Sequence, residues 1–197
     1  MKHLFIATVL TVIGFSSFAQ SANKIRVGID MGYASTAGGG GLLFAVEPKY
    51  NLTNKINVGL RIGSAIMART ATSPAISGAG GPMNGSISGN SFYAATVEHY
   101  FNRGKNSFAP YVGAGLGLHT VSGMSFSSSS LNIGDTPGEN KFGGLVRAGF
   151  ESGKIRLGAE YNIVPASNYG TVSVNNNYLG IHFGFFVGGG KWGKAAK

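Results

Sequence analysis

The residues that could do chemistry are charged side chains placed at every second position of apolar stretches. In the first stretch, Arg26 and Asp30 alternate with Ile25, Val27 and Ile29. An alternation with period two is typical of a β-strand, because successive side chains of a strand point to opposite faces. Opposite charges that share one face can form ion pairs where neighbouring strands bring them together. Such a network could line a path for ions or solutes, gate it, or fill the interior of a closed sheet.

Eight charged residues share this placement, and a ninth, Glu47, falls on the same face. Removing one partner of a buried ion pair costs about 3–5 kcal/mol, so buried charges need partners. We therefore expect these charges to compensate one another and to fix the register of their strands. A structural plug is favoured over a path or gate, and the individual pairs stay open. The predicted network consists of Arg26, Asp30, Arg61, Glu98, Arg147, Glu151, Arg156 and Glu160.

Catalytic and metal-binding chemistry has little support in the sequence. His119 stands shortly before Ser122, and His182 lies on a charged face, but a Ser–His–acid triad needs convergence in space and no motif marks one. There are no cysteines, and the histidines lack metal-ligand spacing. Glycine runs at 38–41 and 78–81 do not lead into a phosphate-binding strand–loop–helix. We predict no enzyme activity, no cofactor and no metal site.

Eight alternating stretches must position these charges. Each is close to the ~9–11 residues with which a tilted β-strand crosses a bilayer. Their apolar sets carry no arginine or lysine, whereas one such residue at mid-membrane would cost ~2–4 kcal/mol. The alternate face instead mixes charges with about a dozen of the 33 glycines. The predicted strands are 24–33, 42–50, 56–63, 93–101, 111–119, 142–151, 155–163 and 178–187.

The connections between these stretches alternate in length. Short ones rich in Asn, Gly and Lys are predicted at 51–55, 102–106 and 152–154, and long polar ones at 34–41, 68–90, 122–140 and 165–176. Short turns at one end and long loops at the other are typical of a transmembrane barrel. The predicted fold is therefore all-β, an eight-stranded antiparallel up-and-down transmembrane β-barrel. A soluble barrel with apolar residues inside is the weaker alternative, because charge and glycine share the other face.

The N-terminus has the pattern of a secretory signal peptide: Lys2, an apolar run from Leu4 to Phe15, and small residues before Gln20. The run is shorter than the ~20 apolar residues of a spanning helix. We predict a signal peptide at 1–19, a barrel domain at 20–190 and a short basic periplasmic tail at 191–197. The formal charge of +9 does not indicate nucleic acid binding, since no basic recognition helix is present.

Two strand sequences carry a resemblance to a known family. The segments at 110–117 (PYVGAGLG) and 157–162 (LGAEYN) resemble strands of small outer membrane β-barrel proteins, the type of OmpX and the OmpA transmembrane domain. The resemblance implies an outer membrane location in a Gram-negative cell, periplasmic termini and contact with outer membrane lipid and lipopolysaccharide. It also implies a monomer with a structural or adhesion-like role through its extracellular loops, towards an extracellular ligand or host surface. A narrow solute channel and a lipid A-modifying enzyme are the alternatives.

Two further expectations concern aromatic residues. Family members often end on an aromatic residue used in assembly, but this chain continues past Phe185 to Lys197, which leaves the form of the assembly signal open. Aromatic residues near strand ends predict the girdles that mark the membrane interfaces. These residues are Tyr33, Tyr50, Tyr93, Tyr100, Phe101, Tyr161 and Tyr178.

Overall fold

The fold is a closed β-barrel, seen in a computed structural model that describes residues 22–71, 84–101, 108–126, 136–169 and 172–189. The described residues form ten strands and no helix. None of them forms a helix long and apolar enough to cross a membrane. The strands are β1 Ile25–Thr36, β2 Gly39–Asn51, β3 Ile56–Ala71, β4 Asn84–Tyr100, β5 Phe108–Phe126, β6 Thr136–Ser152, β7 Ile155–Ile163, β8 Ser167–Tyr169, β9 Val172–Val174 and β10 Tyr178–Gly188.

Eight of these strands close into the barrel in the order β1-β10-β7-β6-β5-β4-β3-β2, and every neighbouring pair is antiparallel. Closure at β1 and β10 runs from the pair Arg26 and Gly188 to the pair Ser35 and Leu179. Along the length that all eight strands share, no sheet edge is left, which matters in lipid because an unpaired backbone group there costs several kcal/mol. The predicted eight-stranded up-and-down barrel is confirmed.

The alternation predicted from the sequence is confirmed along the wall. β7 alternates without interruption between exposed and buried residues, beginning with exposed Ile155 and buried Arg156. Large apolar side chains lie exposed on the outside, and the charged residues lie buried on the inside. A barrel with an apolar exterior and an ionic interior has the polarity expected for a protein surrounded by lipid.

The barrel has two unlike ends. Residues 22–24 and 188–189 and the turns after β2 and β6 lie at one end, which we call the terminal end; the opposite end is the distal end. The predicted turn at 51–55 is confirmed there, with Thr53 Oγ1 accepting from the Ile56 backbone N–H at 2.9 Å. The predicted turn at 152–154 is confirmed too, with Gly153 at φ 61°.

The distal end differs from the prediction. A long loop at 34–41 is wrong: β1 and β2 pair as far as Thr36 and Gly39, so only Ala37 and Gly38 form the turn. Gly38 has φ 81°, a conformation that glycine adopts without strain. The next residue pair of the ladder favours glycine as well, because a Cβ on Gly40 would stand 2.8 Å from the Ala34 carbonyl oxygen. Glycine here builds a tight hairpin rather than a flexible loop.

The other predicted distal loops are shorter than expected, because the ladders continue into polar sequence. The β3–β4 ladder extends to the pair Ala71 and Asn84, and the β4–β5 ladder to Gly85 and Phe126. Strands β3 to β6 have 16 to 19 residues, whereas β7 has 9 and β10 has 11. The predicted loop at 165–176 contains a small hairpin of β8 and β9. The distal rim is therefore a tall wall on one side and a low one on the other.

Several predictions fall outside the described residues and stay predictions. These are the signal peptide at 1–19, the tail at 191–197 and the turn at 102–106.

Candidate functional site

The interior of the barrel holds ten buried charged residues close to one another. Four arginines and one lysine face one aspartate and four glutamates, so the formal charges balance. Five of the seven acidic residues of the chain lie here. We call this set the ionic layer; it consists of Arg26, Asp30, Glu47, Lys49, Arg61, Glu98, Arg147, Glu151, Arg156 and Glu160.

Glu47 on β2 is one centre of the ionic layer. Its two carboxylate oxygens accept hydrogen bonds from Arg147 on β6 at 2.8 and 2.5 Å, in the two-pronged geometry that gives strong arginine–carboxylate pairs. Arg61 lies at 3.3 Å and Lys49 at 3.4 Å, and the Thr96 hydroxyl donates at 2.7 Å. One carboxylate thus connects strands from opposite sides of the barrel.

Glu98 on β4 is the second centre. Lys49 donates to it at 2.5 Å, Arg147 lies at 2.9 Å, and Arg156 on β7 also donates to it. The guanidinium of Arg156 is held from its other side by the Tyr111 hydroxyl, which accepts from Nε at 2.7 Å. Glu47 and Glu98 therefore share Arg147, Arg156 and Lys49, and the layer is one connected network rather than separate pairs.

The remaining members extend the network towards each end. Nearest the terminal end, Arg26 donates to Glu151 at 2.7 Å and to the Tyr100 hydroxyl at 2.5 Å. Towards the distal end, Arg61 contacts Asp30 at 2.5 Å and Glu160 at 2.9 Å. These contacts compensate charge, because each guanidinium in the continuous set of ion pairs faces a carboxylate.

The structure brings all eight predicted network residues together, and it adds Glu47 and Lys49 to them. Glu47 has the predicted inner face but stands outside the predicted network, although it is central to the ionic layer. Two members of the predicted aromatic girdles are wrong, because Tyr100 and Tyr178 are buried inside the barrel. The alternation of their strands indicates the inner position, because each tyrosine stands an even number of positions from a buried charged or polar residue and so shares its face.

Glycine inside the barrel gives the ionic side chains their space. A Cβ on Gly184 of β10 would collide with the Asp30 carboxylate on β1. A Cβ on Gly158 of β7 would collide with the Tyr111 hydroxyl and stand 2.7 Å from His182 Nε2. Glycine therefore stands beside large inward-facing side chains of nearby strands, since small and large residues alternate in the interior of small barrels.

A second layer fills the lumen on the distal side of the ionic layer. On β2, Leu43 lies beyond Glu47, and on β4, Phe92 lies beyond Glu98. These side chains are almost wholly buried and belong to one contiguous apolar cluster. We call this cluster the apolar layer; it consists of Ala34, Leu43, Ala45, Ala65, Met67, Phe92 and Tyr178.

The two histidines considered for catalysis do not meet a nucleophile. His119 Nδ1 lies 3.2 Å from Asn90 Oδ1, and His182 Nδ1 lies 3.9 Å from Glu160. In the described part of the chain, neither ring has a serine or threonine hydroxyl as a hydrogen-bond partner. No group of three or more His, Asp or Glu suited to a metal ion occurs among those residues either.

The rim of the terminal end is basic. Lys24 and Lys55 are exposed, and Lys154 Nζ donates to the Gly188 carbonyl at 2.5 Å, tying the β6–β7 turn to the end of β10. Partial burial, together with the nearby Arg26 guanidinium, lowers the pKa of Lys154 from its ordinary value. This contact fastens the rim at the point where the barrel closes.

Comparison with known proteins establishes the fold. No protein-family model matches the chain, and no curated protein sequence matches it. The structure is similar to the N-terminal β-barrel domain of Pseudomonas aeruginosa OprF, with a TM-score of 0.50 and 13% identity over 85% of this chain and 100% of that one. It is also similar to Neisserial surface protein A, NspA, with a TM-score of 0.51 and 16% identity over 83% of this chain and 95% of that one. The chain therefore has the fold of small eight-stranded outer membrane barrels, which confirms the fold implied by the resemblance.

Proposed function

We propose that the protein is a monomeric outer membrane barrel with a closed lumen, whose role is structural or surface interaction at its distal end. The observation that carries this proposal is the filling of the lumen by two successive layers, one ionic and one apolar. Eight strands enclose a space just wide enough for side chains to fill. The filled lumen favours this role over the narrow solute channel.

Strand length supports an exposed distal surface. A tilted strand needs about 9–11 residues to cross a bilayer, and β7 and β10 have 9 and 11. Strands β3 to β6 have 16 to 19, and their surplus lies at the distal end because their ladders all begin at the terminal end. Six extra residues extend a strand by roughly 20 Å. In the proposed orientation, with periplasmic termini, this wall stands above the lipopolysaccharide layer and is available to an extracellular ligand or host surface.

Orientation is tested by cysteine labelling, for which a chain without cysteine is well suited. Gly78→Cys lies in the connection after β3, and Gly104→Cys in the connection after β4. With a membrane-impermeant maleimide on intact cells, we expect labelling of G78C only, and of G104C after permeabilisation. Labelling of G104C alone on intact cells would invert the orientation.

Closure of the lumen is tested by conductance in planar bilayers. We expect no stable channel from the purified protein, since ions would have to displace paired charges and then cross the apolar layer. Stable channels in the wild type that disappear with Arg61→Gln or Glu160→Gln would overturn the closed lumen and favour the channel.

Surface interaction is tested by shortening the two connections that follow β3 and β5 at the distal end. Residues 72–83 and 127–135 are replaced by Asn-Gly turns, which favour tight hairpins. We expect cells expressing this variant to adhere less to a host-cell layer than wild-type cells at equal surface expression. Equal adhesion would restrict the role to a structural one.

A further inference from the structure

A notch interrupts the outer wall of the barrel near its distal end, where β7 stops and β6 continues. In the described part of the chain, β7 pairs with β6 only as far as Ile163 and Gly144. Beyond that pair the chain turns away from β6 at Val164 and leaves a concave space of about 450 Å³. Pockets for small ligands occupy roughly 300–1,000 Å³. Its walls include Leu116, Phe142, Gly143, Gly144, Ile163 and Pro165.

The notch belongs to the surface that faces lipid. Phe142, Leu116 and Ile163 are 64%, 61% and 49% exposed and continue the outward apolar set of their strands. Gly144 lies on the same outward parity, between Phe142 and Val146. The notch is therefore continuous with the apolar belt. At its distal rim stand the amide side chains of Asn175 and Asn177.

Hydrogen bonds fix the walls of the notch. The Val164 backbone N–H donates to Asn177 Oδ1 at 2.8 Å, and Asn176 Nδ2 donates to the Pro165 carbonyl at 2.8 Å. From inside the barrel, Lys141 Nζ donates to the Ala166 carbonyl at 2.8 Å. The segment that turns away from β6 is thus held on two sides, and the notch is preformed.

The floor of the notch consists of two glycines with different constraints. A Cβ on Gly143 would stand 2.7 Å from the Ile163 carbonyl oxygen and 2.8 Å from the His119 ring, so the barrel itself requires glycine there. A Cβ on Gly144 would meet its nearest atoms, the Gly115 carbonyl oxygen and Leu116 Cδ2, only at 3.3 Å. A Cβ at 144 would need its neighbours to shift by only a few tenths of an ångström, and glycine there leaves the notch open.

We propose that this notch binds one acyl chain of lipid A from the outer leaflet, with its polar rim at the level of the sugar headgroup. The site rests on the proposed orientation, which places the distal end in that leaflet. Lipid is the occupant that the surface favours, because the notch opens sideways into the apolar belt rather than towards water. A chain seated there contacts Leu116 of β5, Phe142 of β6 and Ile163 of β7 at once.

The test is retention of lipid by the full-length protein in mild detergent. Native mass spectrometry would count bound molecules after incubation with hexa-acylated lipid A or with phosphatidylethanolamine. We expect the wild type to retain one lipid A in preference to phosphatidylethanolamine. Gly144→Leu fills the notch and should lower the retained lipid A about tenfold, which corresponds to the loss of roughly ten van der Waals contacts between the acyl chain and the notch walls.

Two further variants make the result specific. Ala148→Leu adds the same side chain to the outward face of β6 nearer the terminal end, outside the notch, and should leave lipid A retention unchanged. Gly144→Ala adds only the Cβ that the packing nearly accommodates, and we expect it to cause an intermediate loss of retained lipid A. This variant keeps the test decisive if Gly144→Leu does not fold.

Three results would overturn the notch as a lipid A site. They are equal retention by wild type and both Gly144 variants, an equal loss in Ala148→Leu, and a preference for phosphatidylethanolamine. If the wild type forms a dimer and Gly144→Leu dissociates it, the occupant of the notch is a second copy of the chain instead of lipid. Surface labelling of G78C separates this proposal from the function proposed above: labelled G78C with no retained lipid A defeats the notch alone, whereas G78C protected on intact cells defeats the orientation on which both rest.

Discussion

The two halves of the lumen are closed by opposite means. In the terminal half, ten charged residues meet through directed contacts such as the two-pronged pair of Arg147 and Glu47. In the distal half, Leu43, Met67 and Phe92 form an apolar cluster that lies beside the buried polar pair of His119 and Asn90. Both halves belong to the same strands, share the same parity and are almost inaccessible to solvent. The difference therefore reflects the side chains and not the architecture.

The side chains that fill a lumen can do two things: they can specify the register of the strands, and they can add stability. Directed contacts tolerate one arrangement of the strands, because slipping a strand by one residue moves its whole inner set to the lipid face. Buried ion pairs are weak evidence for stability, and specification of register is the role that fits them here. Apolar packing adds stability in proportion to the area that it buries, and tolerates substitution of similar volume. We infer that the ionic layer specifies the barrel and the apolar layer reinforces the seal.

The largest effect is expected from removal of a centre of the ionic layer. Glu47→Ala leaves Arg147 without its two-pronged partner and takes a carboxylate from Arg61 and Lys49. We expect the free energy of unfolding to fall by about 3–5 kcal/mol, the cost of breaking a buried pair. Reversible urea unfolding in phospholipid vesicles, followed by circular dichroism, measures it.

Glu139→Ala is the matched control for that change. Glu139 also pairs with a lysine, Lys141 at 2.7 Å, but its carboxylate is about half exposed at the distal end. Exposed ion pairs contribute only ~0–1 kcal/mol. Equal losses of unfolding free energy in Glu47→Ala and Glu139→Ala would mean that an ion pair in the ionic layer contributes no more than an exposed one. The contrast between the two halves of the lumen would then be wrong.

A somewhat smaller effect is expected from the apolar layer. Leu43→Ala removes a buried side chain from the cluster of Met67 and Phe92, and we expect a loss of roughly 2–4 kcal/mol from lost apolar contact and a residual cavity. Its neighbour Leu42 points outwards and serves as control, since lipid fills the space that Leu42→Ala vacates. The same unfolding measurement applies. A greater loss in Leu42→Ala than in Leu43→Ala would exclude a packed distal half.

The sequence predicts the strands that form the wall of the barrel, but not which side chains meet inside the lumen. Alternation predicts which face each residue takes, as the uninterrupted pattern of β7 shows. It does not predict which strands stand opposite each other across the lumen, and Glu47 on β2 meets Arg147 on β6 only in the closed barrel. Leu43 and Phe92 fell on the inner parity, but an apolar residue there looks like an exception until its neighbours on other strands are known.

The distal rim could not be predicted for a related reason. Glycine and serine in sequence are typical of loops, yet Gly39 pairs with Thr36 and Ser86 with Ser125 within regular ladders. A ladder depends on backbone pairing, which a neighbouring strand supplies whatever the side chains are. The notch at Gly144 has no sequence signal, because it arises where one ladder stops before the next.

The smallest effect sharpens the comparison from within the ionic layer. Lys49 donates to Glu98 at 2.5 Å and lies 3.4 Å from Glu47, but Arg147 contacts both carboxylates as well. Lys49→Met keeps the length of the stem and removes one of several cations, so the carboxylates retain partners. We expect a loss of about 1.5–3 kcal/mol, the range of a single hydrogen bond to a charged group. If Lys49→Met lowers the free energy of unfolding as much as Glu47→Ala does, the layer depends on an exact balance of charge. If the loss is clearly smaller, the layer depends on its two carboxylate centres. The arginines around these centres are then the contacts that hold the barrel in register.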